Sequence, residues 1–222
     1  YTFELVLLRN NKELARTEES FFVPPEVKLD NVLKKVTLLG AFPDTVSWSS
    51  TEDAPVTVVA GLTDVSDAAL KKALDRAAQG GALVLGGLTD EDTKRLQGLK
   101  GLGADVTPFR SAGGPHGAFH YLCKSPAFKD LPAPGLMDET FAEVQPQWSL
   151  EIPGDKAEVL AGAFAINPVP GAKSKVRWGA DVAVLPHGKG KVVFCQYDIF
   201  ERLGKNALAD ALFVNLVQFA SK

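Results

Sequence analysis

The chain has 222 residues, 45% of them hydrophobic and 23% charged, with a formal net charge of −3. A sequence pI near 5.7 and the lack of any long run of like charge exclude a basic nucleic-acid surface and a polybasic membrane patch. The longest apolar runs are strand-length and far short of a membrane span, so neither nucleic acid nor membrane is expected as a partner.

Tyr1, Phe3, Leu5 and Leu7 recur at period two, the alternation of a half-buried strand. Asn10-Asn11 supplies turn chemistry, the stretch 13–17 continues polar, and residues 20–23 read as a second short strand before Pro24-Pro25. Two strands cannot bury a sheet face by themselves. Residues 1–30 are therefore expected to be the end of a β-sandwich domain, or a β arm laid on the next domain. Tyr1 opens inside an alternating strand rather than with a start signal, the pattern expected of a segment of a longer polypeptide.

From residue 31 to 222 the grammar is α/β, and the fold class expected is a parallel sheet flanked by helices with an antiparallel β extension. Residues 36–40, 56–60 and 82–86 are short, continuously apolar runs, the form of buried parallel strands. Between the last two, Ser66 is an N-cap, and Ala69, Leu70, Ala73, Leu74 and Ala77 form a helical stripe ended by Gly80. A second helix runs from Asp90 to about Leu99 with Thr89 as its cap, and residues 105–109 read as another strand. Strand–helix–strand at these lengths implies right-handed crossovers. Residues 111–170 are rich in Gly and Pro and read as an irregular insertion or antiparallel edge, with strand-like pieces at 148–152 and 158–166. Residues 180–185 and 191–195, joined by Pro186-His-Gly-Lys-Gly190, form a hairpin, and Asn206 opens a final helix.

Few motifs carry chemistry. Gly80-Gly81 and Gly86-Gly87 flank a strand without the G-x-G-x-x-G pattern that opens a helix, so no phosphate-binding loop and no cofactor is expected. A nucleophile on a strand-to-helix elbow would sit at Leu85-Gly-Gly-Leu-Thr89, which holds no Cys or Ser. Cys123 and Cys195 lack that context and read as small core side chains. His116-x-x-x-His120 has a zinc spacing only on a helix, which the surrounding glycines disfavour, and no metal is expected. His187 falls in the hairpin turn. Acidic residues are scattered (Asp138, Glu139, Glu143, Glu151, Asp198, Glu201), and any pair facing one another would suit glycoside hydrolysis. Gln196-Tyr197-Asp198 follows a buried strand at its C-terminal end, where open α/β sheets place ligands, and is the first candidate for a ligand or interface cluster. Trp48, Trp148 and Trp178, each beside polar residues, are candidates for stacking on sugar rings or for packing between domains.

The ending Gly188-Lys-Gly-Lys-Val-Val-Phe-Cys-Gln-Tyr-Asp198, with Leu203-Gly204, Asn206-Ala-Leu-Ala-Asp210 and Asn215-Leu216, resembles a class I glutamine-amidotransferase-like (flavodoxin-like) domain. Such domains stand near the C-termini of family 2 β-galactosidase-like glycoside hydrolases of bacteria. The step from Ala73 through Gly81 into the strand at 82–85, and Ser125-Pro-Ala-Phe128 with Leu131-Pro132, are similar to the same family. The resemblance spans about three quarters of the chain and departs from true amidotransferases at the elbow, which lacks the Cys. It implies an immunoglobulin-like domain ending at about residue 30. It also implies a non-catalytic accessory region of a secreted (extracellular or periplasmic) carbohydrate-active hydrolase, whose catalytic residues lie on a separate upstream domain of the same polypeptide. The partners it implies are that domain, a glycan, or a second copy in a homo-oligomer. A stand-alone carbohydrate-binding module using exposed Trp, and a hydrolase with an unrecognised carboxylate or His site, are the two other readings.

Overall fold

A computed structural model of the chain describes residues 1–44, 51, 54–99, 102, 105–111, 118–153, 155–167 and 175–222; Trp48 and His116 lie outside them. Strands β1 (Thr2–Arg9) and β2 (Lys12–Ser20) form a two-stranded antiparallel hairpin. Asn10 and Asn11 both adopt positive φ, 51° and 57°, the requirement of a two-residue primed turn that Asn meets well. That turn pairs Arg9 with Lys12 and so fixes the register. The second strand is thus the polar stretch after the turn and not residues 20–23. Phe21 instead stacks on Tyr1 and Phe3 at ring-centroid distances of 5.7 and 5.3 Å. The face carrying Tyr1, Phe3, Leu5 and Leu7 is exposed, while across the sheet Arg16 pairs with Glu4 and Glu13.

The remaining strands build one mixed sheet. β3 (Val36–Gly40), β4 (Val56–Ala60) and β5 (Ala82–Gly86) are parallel neighbours. β12 (Gly190–Cys195) lies parallel beside β5. From there the sheet turns antiparallel through β11 (Lys175–His187), β10 (Glu158–Asn167), β7 (Phe119–Leu122) and the two-residue β8 (Gly135–Leu136). β6 (Thr107–Arg110) pairs with β9 (Trp148–Glu151), which meets β11 through Leu150 and Ala180. The sheet is therefore mixed, with the expected parallel part confined to β3, β4, β5 and β12 and the antiparallel extension supplying the other strands. The cause is local: Gly188-Lys189 closes β11 and β12 with a two-residue turn, with His187 opposite Gly190, and a turn that tight permits only antiparallel pairing.

Helices α1 (Asp30–Leu33), α2 (Asp67–Ala78), α3 (Asp90–Gly98) and α4 (Ala207–Ala220) complete the fold. The helix signals act as capping chemistry requires. Ser66 Oγ accepts from the Ala69 amide at 3.2 Å, Thr89 and Asp92 form a reciprocal capping box, and Asn206 accepts from the Ala209 amide at 2.9 Å. Adjacent residues of the central strands feed two different cores. Val58, Val84 and Val193 pack under α1 and α4, while Val59, Leu83, Leu85 and Phe194 pack under α2. Burial on both faces is why these strands are continuously apolar in sequence. Among the described residues no helix is long and apolar enough to cross a membrane.

Candidate functional site

The C-terminal ends of β3, β4, β5 and β12 converge on a cleft of about 410 Å³. Its floor is backbone, with Ala60, Gly61, Gly86 and Gly87 in the lining. The turn from β5 into α3 is built like a nucleophile elbow. Gly87 sits at φ +63°, a conformation rare for side-chain-bearing residues, and a Cβ placed there would meet nothing within 4 Å. The position is open and carries no side chain. Gly86 beside it is closed off, since an added Cβ would lie 1.9 Å from the Phe200 ring.

The elbow is pinned from below by Gln196. Its side-chain carbonyl accepts from the Leu88 amide at 2.9 Å, and its amide donates to the Leu88 carbonyl at 2.8 Å. Gln196 is buried, so both hydrogen-bonding ends of this predicted ligand residue satisfy backbone rather than solvent or ligand. Tyr197 is fully buried and packs edge-on against Phe128. Asp198 does line the cleft, 3.2 Å from Arg202, with Asp64, Asp92 and Glu201 as the other acids. Among the described residues the lining includes no Lys, Arg or His. Of the acids singled out in the sequence, Asp198 and Glu201 thus come together. The rest are dispersed: Glu143 binds Asn206, Glu151 pairs with Arg177 at 2.7 Å, and Asp138 caps a short 3-10 turn. Asp64 escaped the sequence reading although it follows β4 as Asp198 follows β12, and that strand-end position was its available signal.

A second polar constellation lies inside the sheet. Nδ1 of His120 on β7 is 2.7 Å from Asp181 Oδ2 on β11, and Ser149 Oγ on β9 donates to Asp181 Oδ1 at 2.5 Å. All three are buried. The carboxylate stands between hydroxyl and imidazole, so the imidazole has no contact with the serine that a triad base needs. No local motif announces this cluster, whose members are 61 and 32 residues from Asp181 in sequence. Nearby, burial pushes the Cys195 thiol up to about 12, opposed by a hydrogen bond from the Tyr197 backbone and aided by the Asp181 charge. Burial likewise raises the Tyr197 phenol well above its ordinary value. Neither group is ionised at neutral pH. Among the described residues no three His, Cys, Asp or Glu side chains converge as a metal site.

The remaining candidates are spread over the molecule. His187 lies at the opposite end of β12, half-buried, its Nε2–H donating to the Leu74 carbonyl at 3.1 Å. Trp148 is half-buried on β9, and Trp178 on β11 is 61% exposed. Trp178, Phe164 and Phe119 form a cross-strand ladder with centroid distances of 5.2 and 5.1 Å. Both faces of Phe164 are covered by its neighbours, so the ladder offers ring edges and one outer indole face rather than a coplanar platform for sugar rings.

Comparison with known proteins gives fold-level likeness only. No family model and no curated protein matches the chain. A cytoplasmic protein of Salmonella typhimurium matches 100% of this chain with 96% of its own, at 11% identity and a TM-score of 0.50. A cytoplasmic protein of Salmonella typhimurium LT2 matches over the same shares at 12% identity and 0.49. The β-galactosidase of Rahnella sp. R3 matches 74% of this chain at 15% identity and a TM-score of 0.44. The chain spans 22% of that enzyme's length. The first likeness shows a shared fold; the others, below 0.5, leave activity unassigned. The expected extracellular or periplasmic location is contradicted by a neighbour that shares the fold over the whole of this chain and is a cytoplasmic protein.

Proposed function

We propose that the chain is a non-catalytic accessory unit of a carbohydrate-active hydrolase, built on an amidotransferase-like scaffold and acting by docking on another unit of the same polypeptide. One observation carries the reading: the elbow at Gly87 has the left-handed turn and the open space of a nucleophile position, and no side chain. Support comes from the two imidazoles among the described residues, since His120 is buried within the sheet and His187 is at the far strand end. The docking face is the apolar side of the β1–β2 hairpin, where Phe3, Leu5 and Leu7 are 67%, 71% and 59% exposed. An unpartnered two-stranded sheet needs such a cover. Residues 1–30 then belong structurally with the docking partner, and residues 31–222 form the accessory unit.

The test has two arms. The purified chain is offered aryl glycosides and glutamine, and no turnover is expected. In the full polypeptide, Leu5→Lys weakens association between the units. Turnover by the chain alone, or unchanged association in Leu5→Lys, sinks the reading.

A second reading is favoured by the gathering of Asp198 and Glu201 in one cleft. Two carboxylates facing a glycosidic bond are the minimum apparatus of a glycosidase. It predicts glycoside turnover by the chain that Glu201→Gln abolishes.

A further inference from the structure

Two buried polar atoms have no hydrogen-bond partner among the described residues: Nε2 of His120 and the hydroxyl of Tyr197. Buried polar groups are nearly always satisfied, so each requires an explanation. Both point to one face of the sheet. Leu122, two residues beyond His120 on β7, packs in the same core cluster as Tyr197, and alternation puts His120 on that face too. The two residues also meet a common charge. Asp181 holds His120 Nδ1 at 2.7 Å, and the same carboxylate acts on the Tyr197 hydroxyl.

Small side chains occupy the strand between His120 and Asp181. β10 separates β7 from β11, and opposite His120 and Leu122 it carries Ala163 and Ala161. The imidazole therefore crosses β10 above alanines to reach Asp181. In the tautomer that donates Nδ1–H to the carboxylate, Nε2 is left as an acceptor. The phenol can donate. Each Asp181 oxygen already accepts one hydrogen bond, Oδ1 from the Ser149 hydroxyl and Oδ2 from the imidazole. Among the described residues no three His, Cys, Asp or Glu side chains converge to hold a metal ion, and an anion would meet the acceptor lone pair of Nε2. The occupant must donate to an imidazole nitrogen and accept a phenolic proton, and water does both.

We propose that His120 Nε2 and the Tyr197 hydroxyl hold one internal water molecule between them, which donates to the imidazole and accepts from the phenol. The bridge joins β7 of the antiparallel half to the segment after β12. Tyr197 directly precedes the cleft residue Asp198, so the water fixes the strand end that carries the cleft acid. This inference is independent of the proposed accessory role.

The sign of one substitution tests it. If the phenol were a bare orphan, Tyr197→Phe would leave the folding equilibrium constant unchanged or raise it. A shared water predicts a fall of about five- to tenfold, the loss of one ordinary hydrogen bond. In parallel, a high-resolution crystal structure of the unaltered whole chain is expected to show ordered solvent within about 3.2 Å of both atoms. An unchanged or higher folding constant in Tyr197→Phe overturns the proposal, as does a dry site between the two atoms. Should Tyr197→Phe fail to fold, the crystal structure of the unaltered chain decides alone.

Discussion

Replacing Gln196 with Ala separates a ligand residue from a structural clamp. The native side chain makes two hydrogen bonds to one peptide, donating to the Leu88 carbonyl at 2.8 Å and accepting from the Leu88 amide at 2.9 Å. Truncation leaves both backbone groups buried without partners, and each such group costs roughly 1–3 kcal/mol. Water entering from the adjacent cleft can recover part of this, which sets the expected loss at about 3 kcal/mol. Gln196→Glu is the companion variant: its carboxylate still accepts from the Leu88 amide but has nothing to donate to the carbonyl, so it loses a comparable amount. Urea titration with an unchanged m-value measures the loss, and hydrogen exchange at the Leu88 amide locates it. A loss under about 1 kcal/mol with Leu88 still protected would refute the clamp and return Gln196 to the list of ligand residues.

Three further outcomes follow from the same geometry. The Cys195 thiol, raised from 9.0 to about 12, keeps its proton in the folded chain where the unfolded chain loses it. Its stabilisation is complete below pH 9.0 and is lost as pH rises toward about 12, at up to about 1.4 kcal/mol per unit. Denaturation followed across that window should show a shallower decline in Cys195→Val; an unchanged slope rejects the assignment, with Tyr197 supplying the remainder above pH 10.0. Gly86→Ala should cost several times more than Gly87→Ala, because the first drives a methyl into the Phe200 ring and the second meets only the left-handed backbone penalty of about 1 kcal/mol. Equal losses contradict the elbow geometry. Leu5→Lys on the exposed hairpin face should shift the isolated chain's stability by less than about 0.5 kcal/mol, and a larger loss in thermal unfolding means that the face is already covered.

Much of the fold is legible along the chain because its signals are local. The Ser66, Thr89 and Asn206 caps, the apolar runs of β3, β4 and β5, and the Gly188-Lys189 turn all act within a few residues. Sheet order is not local. Nothing near residues 190–195 says that β12 inserts beside β5, or that β10, expected as a strand at 158–166, lies between β7 and β11. The candidate site divides in the same way. The bare elbow is visible as Gly86-Gly87, and Asp198 as a strand-end acid. The roles of its neighbours depend on contacts 108 residues apart for Gln196 and Leu88, and 61 apart for His120 and Asp181. Tyr197 follows a strand end as Asp198 does, but its side chain turns inward to Phe128, a direction that the sequence pattern does not disclose.

The strand-end cleft, with a bare Gly87 and four carboxylates, is proposed to perform no chemistry of its own. The most direct test is steady-state turnover of an aryl glycoside panel and of glutamine by the purified chain, run beside Asp198→Asn and Glu201→Gln. No activity above the buffer rate is expected in any of the three proteins. Turnover by the unaltered chain that either substitution abolishes would contradict this and make the cleft an active site.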